Sequence, residues 1–165
     1  MSDFKRIGVV GSGLMGSGIA EVCARAGLDV IVREIDAGAA EAGQKRLTKS
    51  LDRGMSSGKL TEAERDAALG AVSFTTDLGD LADRQLVIEA AVEDETLKVG
   101  IFKELDKVVV DERAVLASNT SSIPIMKLGI ATARPEQVIG IHFFNPVPVL
   151  RLVELVTSLM TSPET

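Results

Sequence analysis

The chain has no tryptophan and no tyrosine, and among its 165 residues it carries one histidine, His142, and one cysteine, Cys23. Without large aromatics the core must be built from Val, Ile, Leu and Ala, which suits a parallel sheet buried on both faces. A single cysteine excludes an internal disulfide framework and is compatible with the cytosol. No stretch approaches the roughly 20 apolar residues that a bilayer span requires. An excess of positive charge is also lacking. The net charge of −6 argues against a general nucleic-acid binder, which would show a basic face. The start, Met1-Ser-Asp-Phe-Lys-Arg, runs directly into a strand-like segment and leaves no room for a secretory signal or transit peptide. The expected location is therefore the cytoplasm, with neither membrane nor nucleic acid as partner, and no metal site is read from the residues.

What is present is the composition of one globular domain, 45% hydrophobic and 25% charged. Short aliphatic runs alternate with helical spacings. Strands are expected over residues 7–10, 30–32, 72–74, 86–91, 114–117, 138–141 and 152–156. Helices are expected over 14–26, 37–53, 95–109 and 124–130. The stretch Gly54–Gly58 breaks the second helix, and Leu60-Thr61-Glu-Ala-Glu64 reads as a capped restart, giving a helical hairpin after the second strand. This alternation predicts a doubly wound α/β fold of Rossmann type, a mostly parallel sheet with helices on both faces. The final Ser162-Pro163-Glu164 has the order of an N-cap, a first-turn proline and an early acid, which announces a further helix.

Gly11-Ser12-Gly13-Leu14-Met15-Gly16 follows the first strand and opens the first helix. In that context a G-x-G-x-x-G turn is a dinucleotide-binding fingerprint. Gly11 permits the tight turn, Gly13 admits a pyrophosphate to the backbone, and Gly16 lets the helix pack against the sheet. Glu34 stands at the end of the second strand, where the motif calls for an acid. Its carboxylate can accept from ribose hydroxyls and repel a 2′-phosphate, so NAD is favoured over NADP. Alternation along the strand should point the neighbouring Arg33 to the opposite face.

His142 ends the strand at 138–141, on the edge of an open parallel sheet where ligands bind. Imidazole titrates near pH 6.5 and can take a proton from a hydroxyl, although a lone histidine is more often structural. Glu154 is the sole acid between Ile141 and Val156 and could orient that imidazole. Ser118-Asn-Thr-Ser-Ser122 offers short polar groups at the same edge, either for a ligand or for capping the next helix. Lys45, Lys49 and Arg53 share one helix face with Arg46 beside them and Lys59 beyond. An anion such as a CoA nucleotide would offset their mutual repulsion, and a solvated face is an equal reading.

Together, Gly11-Ser-Gly-Leu-Met-Gly16, Ala117-Ser-Asn-Thr-Ser-Ser122 and His142-Phe-Phe-Asn-Pro-Val-Pro148 with Leu152-Val-Glu154 resemble the 3-hydroxyacyl-CoA dehydrogenase family, bacterial 3-hydroxybutyryl-CoA dehydrogenases in particular. The resemblance runs from Ile7 to about Thr161. It implies that His142 is the catalytic base, Glu154 its partner and Ser121 a substrate-binding serine. It further implies NAD contacts from the glycine turn, including Leu14 and Met15, and from Glu34, Glu93, Lys98 and Asn145, with Ser50 and Lys59 touching CoA. The reaction implied is proton removal from the 3-hydroxyl by His142, coupled to hydride transfer to NAD, in fatty-acid or butanoate metabolism. Family members continue into a helical second domain that closes the site and forms a homodimer. On that basis this chain is the NAD-binding domain, with weak or no turnover by itself and with apolar surface left bare. Two other readings are a nucleotide-binding protein without catalysis, like the lens-crystallin relatives of the family, and a dehydrogenase of free 3-hydroxy acids. The latter usually relies on a lysine, whereas the chemistry-bearing run here offers His142 and Glu154.

Overall fold

Aliphatic runs such as Ile7-Gly-Val-Val10 and Leu86-Val-Ile88 place successive side chains on opposite faces of a strand, so each run needs cover on both sides. The computed structural model describes residues 4–165 and meets that demand. Strands β1 (Arg6–Val10), β2 (Asp29–Arg33), β3 (Val72–Thr75), β4 (Leu86–Glu89), β5 (Val115–Ser118), β6 (Val138–Phe143) and β7 (Val153–Val156) form one sheet. Its order is β3-β2-β1-β4-β5-β6-β7. The first six strands are parallel, and β7 runs antiparallel to β6 at the edge.

Helices α1 (Leu14–Arg25), α2 (Ala37–Ser56) and α3 (Glu62–Gly70) cover one face, and α4 (Glu95–Val108) and α5 (Ile125–Gly129) the other. Neighbours in sequence divide between the two cores. Val9 packs with Ile19 and Leu47, whereas Val10 packs with Phe102 and Leu105. The doubly wound expectation holds, and so does the helical hairpin after β2. Its first helix runs beyond the expected break, through Gly54 to Ser56, because Gly54 passes beneath Leu60; a Cβ there would lie 2.8 Å from Leu60 Cδ1. The chain reverses at Gly58 instead, and Thr61 restarts it with the capping box read from the sequence. Ser162–Thr165 form a turn in which the Ser162 hydroxyl accepts from the Thr165 N–H at 3.3 Å, the contact an N-cap makes.

Strand order reverses between β1 and β4, so the segments leaving their carboxyl ends diverge to opposite sides and open a crevice. Gly11 leaves β1 and Ala90 leaves β4 at that point. Among the described residues, no helix is long and apolar enough to cross a membrane.

Candidate active site

The glycine turn is held from three sides. Gly11 has φ 92°, a left-handed conformation that favours glycine, and donates its N–H to the Arg33 carbonyl at 2.9 Å. A Cβ on Gly16 would collide with the Gly11 carbonyl oxygen, so the helix can approach only as glycine. Nothing lies within 4 Å of where a Cβ on Gly13 would stand, so the turn is open there to a ligand. Gly13 is also the N-cap of α1 and supplies no side-chain cap, and the first turn holds no acid. By contrast α2, α3 and α4 are capped by Asp36, Thr61 and Asp94. The free N–H groups of α1 therefore suit an anion such as a pyrophosphate.

Glu34 sits directly against this turn. Its Oε1 accepts from the Ser12 N–H and from the Ser12 hydroxyl at 2.8 Å, and its Oε2 accepts from the Ile35 N–H at 3.1 Å. Arg33 and Glu34 line one cavity of 510 Å³, together with Gly13, Ala91, Val92 and Leu97. They enter it from different sides, as alternation along the strand expects: the Glu34 N–H still donates to the Thr75 carbonyl at 2.9 Å, its carboxylate turns to Ser12, and Arg33 shares a face with Ile31 on the side of α4.

The single histidine is fixed by strand register. β6 and β7 pair His142 directly with Glu154, and His142 Nδ1 lies 2.9 Å from Glu154 Oε2. A carboxylate at Nδ1 requires N–H there, leaving Nε2 of the neutral ring as the proton acceptor. His142 lines a second cavity, of 370 Å³, with Ser121, Asn119, Glu93, Lys98 and Asn145. Met15 of the glycine turn lines both cavities, joining the nucleotide side to the histidine side.

Behind His142 lies a charge network that the sequence only half discloses. Lys98 is 1% exposed and reaches the fully buried Glu89 at 2.7 Å and Glu93 at 3.3 Å. Glu89 also accepts from the Ser118 hydroxyl at 2.6 Å and from the Ala91 N–H at 2.7 Å. Burial opposes the charge on Glu93. Hydrogen bonds from the Thr120 hydroxyl and Ser121 N–H, with the Lys98 ammonium, outweigh it and hold the pKa down to about 2. The run 118–122 thus divides its work. Ser118 and Thr120 turn inward to hold acids, Asn119 Oδ1 accepts from the Phe143 N–H at 2.9 Å, and Ser121 stays exposed at the cavity. Neither Ser121 nor Ser122 caps α5. Glu89 is not among the residues read from the sequence, and Asn119 enters there only within the polar run 118–122. The only signal for Glu89 was an acid ending a strand of otherwise aliphatic residues.

The basic helix divides as well. Arg46 donates to the Ser12 carbonyl and braces the glycine turn, and Lys45 pairs with Glu41. Lys45, Lys49, Ser50 and Arg53 line a cleft of 450 Å³ between α1 and α2 that meets the histidine cavity at Asn145. Lys59 lines another cavity, with Leu60, Glu64 and Arg151, which adjoins the cleft at Val147 and Pro148.

The model of the 3-hydroxyacyl-CoA dehydrogenase NAD-binding domain matches residues 6–165. The chain belongs to that family. It is 65% identical over 162 residues to a 3-hydroxybutyryl-CoA dehydrogenase of Mycobacterium tuberculosis, a match covering 98% of this chain and 57% of the relative. The crystal structure of M. tuberculosis FadB2 superposes with a TM-score of 0.97 at 63% identity, over 98% of this chain and 57% of that one. That of the (S)-3-hydroxybutyryl-CoA dehydrogenase PaaH1 from Ralstonia eutropha gives 0.95 at 45% identity, with the same coverage. The chain thus spans little more than half the length of these relatives. The cofactor of the family domain is NAD, and the open turn at Gly13, the uncapped α1 and the acid Glu34 fit it.

Proposed function

We propose that this chain is the cofactor-binding and proton-transferring domain of a cytoplasmic 3-hydroxyacyl-CoA dehydrogenase acting on short substrates such as 3-hydroxybutyryl-CoA. The observation that carries the reading is the His142–Glu154 pair, which shares a cavity with Glu93 and Ser121 and adjoins the glycine turn through Met15. A purely nucleotide-binding protein has no use for an oriented imidazole at that point.

In this reading Gly11, Gly13, Leu14, Met15 and Gly16 form the turn that holds the pyrophosphate, and Glu34 meets the adenosine ribose. Asn145, Glu93 and Lys98 flank the nicotinamide side. When bound, NAD supplies the acceptor for the hydrogen leaving C3 with its electron pair. His142 takes the hydroxyl proton at Nε2, and Glu154 steadies the imidazolium through Nδ1. Ser121 donates to the substrate oxygen, and Glu93, already anionic, keeps Ser121 in place through its N–H. The CoA nucleotide lies toward Lys49, Ser50 and Arg53, with Lys59 outside that path. A helical domain, through which the enzyme forms a homodimer, completes the substrate side.

Calorimetric titration of the 165-residue chain with NADH and NADPH tests the reading. NADH is expected to bind and NADPH to bind more weakly. Replacing Glu34→Ala should weaken NADH roughly 10-fold or more, the scale of hydrogen bonds to a charged group. Absence of binding by the unaltered chain would sink the assignment of the glycine turn. Oxidation of NADH by acetoacetyl-CoA should be slow with this chain, and a normal kcat would show that no second domain is needed.

A further inference from the structure

Arg33 is a cation without an acceptor for its inner nitrogen. Its Nε is buried and makes no hydrogen bond, and Arg33 forms no ion pair among the described residues. Native structures rarely leave a buried donor unmatched, and a charged one is the costliest to leave so. The adjacent carboxylate does not serve it, because Glu34 directs its oxygens to Ser12 and Ile35. Arg33 shares a strand face with Ile31, on the side covered by α4, and so enters the 510 Å³ cavity from that side. The facing wall is apolar, with Val92, Leu97 and Ile101, and no aromatic side chain lines the cavity. A guanidinium presents a flat delocalised face that stacks on aromatic rings. In this cavity, any such ring has to arrive with the ligand.

We propose that Arg33 is the seat of the adenine ring: its guanidinium, which has no ion pair and no hydrogen bond among the described residues, stacks on the base against the apolar wall of α4. The inference rests on the NAD-binding reading of the glycine turn and adds a residue that the motif does not specify. The 2′-phosphate of NADP is the rival occupant for a cation here. Glu34 beside it carries like charge to that phosphate, which favours the base.

Isothermal titration with 5′-AMP, NADH and NADPH on the unaltered chain, Arg33→Leu and Arg33→Lys separates these cases. AMP carries only the adenine half. Arg33→Leu should weaken AMP and NADH by the same factor, about 5- to 30-fold, the range of a desolvated cation–π contact. Arg33→Lys keeps the charge but not the plane, and should recover only part of the loss. The thermal midpoint without ligand serves as the control and should not fall in either variant. Weakened NADH with unchanged AMP would overturn the proposal, as would a loss confined to NADPH that lysine restores. If NADH binds and Arg33→Leu leaves it untouched, this inference alone fails; if the unaltered chain binds neither AMP nor NADH, the cofactor site fails with it.

Discussion

Glu93 shows how one side chain near the proposed chemistry keeps its charge at some cost to its solvation. The side chain is 40% exposed, yet Thr120, Ser121 and Lys98 together hold its pKa near 2 against an ordinary 4.5. The folded state therefore releases this proton more readily than the unfolded chain does. Its stabilising effect is complete above about pH 4.5 and fades as the pH falls toward 2. Glu93→Gln should accordingly lower the urea midpoint at neutral pH, with the gap to the unaltered chain narrowing steadily below pH 4.5. A gap of constant size across that range would mean that shape, not charge, is what Glu93 contributes. Partial exposure keeps the effect modest, because solvent screens the pairing with Lys98. Cys23 behaves oppositely, since burial pushes its thiol up to about 11 and leaves it without thiolate chemistry at neutral pH.

At the level of elements, the glycine turn depends on a helix that the motif never mentions. α2 lies so close to the turn that a Cβ on Gly43 would collide with Ser12 Oγ. Arg46, one helical turn further, holds the Ser12 carbonyl. Gly43→Ala should therefore force α2 and the turn apart, destabilising the chain by about 1–3 kcal/mol as overpacking does. It should also weaken NADH binding, although Gly43 is outside the cofactor cavity. Chemical denaturation and titration on the same variant check both effects, and loss of stability with intact NADH affinity would show that the turn holds its shape without α2. This dependence was not legible in the sequence, because periodicity names the buried face of a helix but not what meets it 30 residues away. The strands, in contrast, were read to within a few residues, since burial on both faces leaves continuous aliphatic runs. His142 and Glu154 could be named because each is nearly alone of its kind in its segment; that they touch follows from the register of β6 and β7, which no local pattern encodes. Alternation separates Arg33 from Glu34 along the strand, but no local pattern shows that both line one cavity beside α4. Ser50 and Lys59 are named by the family resemblance rather than by any local pattern, and they line two cavities that adjoin at Val147 and Pro148.

For the molecule as a whole, the two cores account for the sheet as far as β6 and leave its last strand bare. All four residues of β7 are exposed, Leu155 at 68%, and beside it Leu152 is 55% exposed and Leu159 97%. β7 has one neighbour, so its outer edge presents unpaired N–H and carbonyl groups beside apolar side chains. Edge strands that face water are usually blunted by charge, but Glu154, the only charge in β7, is engaged by His142. An apolar patch on a free edge favours association. The 165-residue chain should thus form larger species in sedimentation velocity as its concentration rises, and the double variant Leu155→Glu, Leu159→Glu should remain monomeric over the same range. If the double variant associates like the unaltered chain, the contact lies elsewhere and the β7 edge is blunted by its own twist. If the unaltered chain is monomeric throughout, the patch is too small to hold two copies together. The first result would direct attention to the remaining exposed apolar side chains, of which Ile35 and Val92 flank the proposed adenine seat and should become covered when NADH binds.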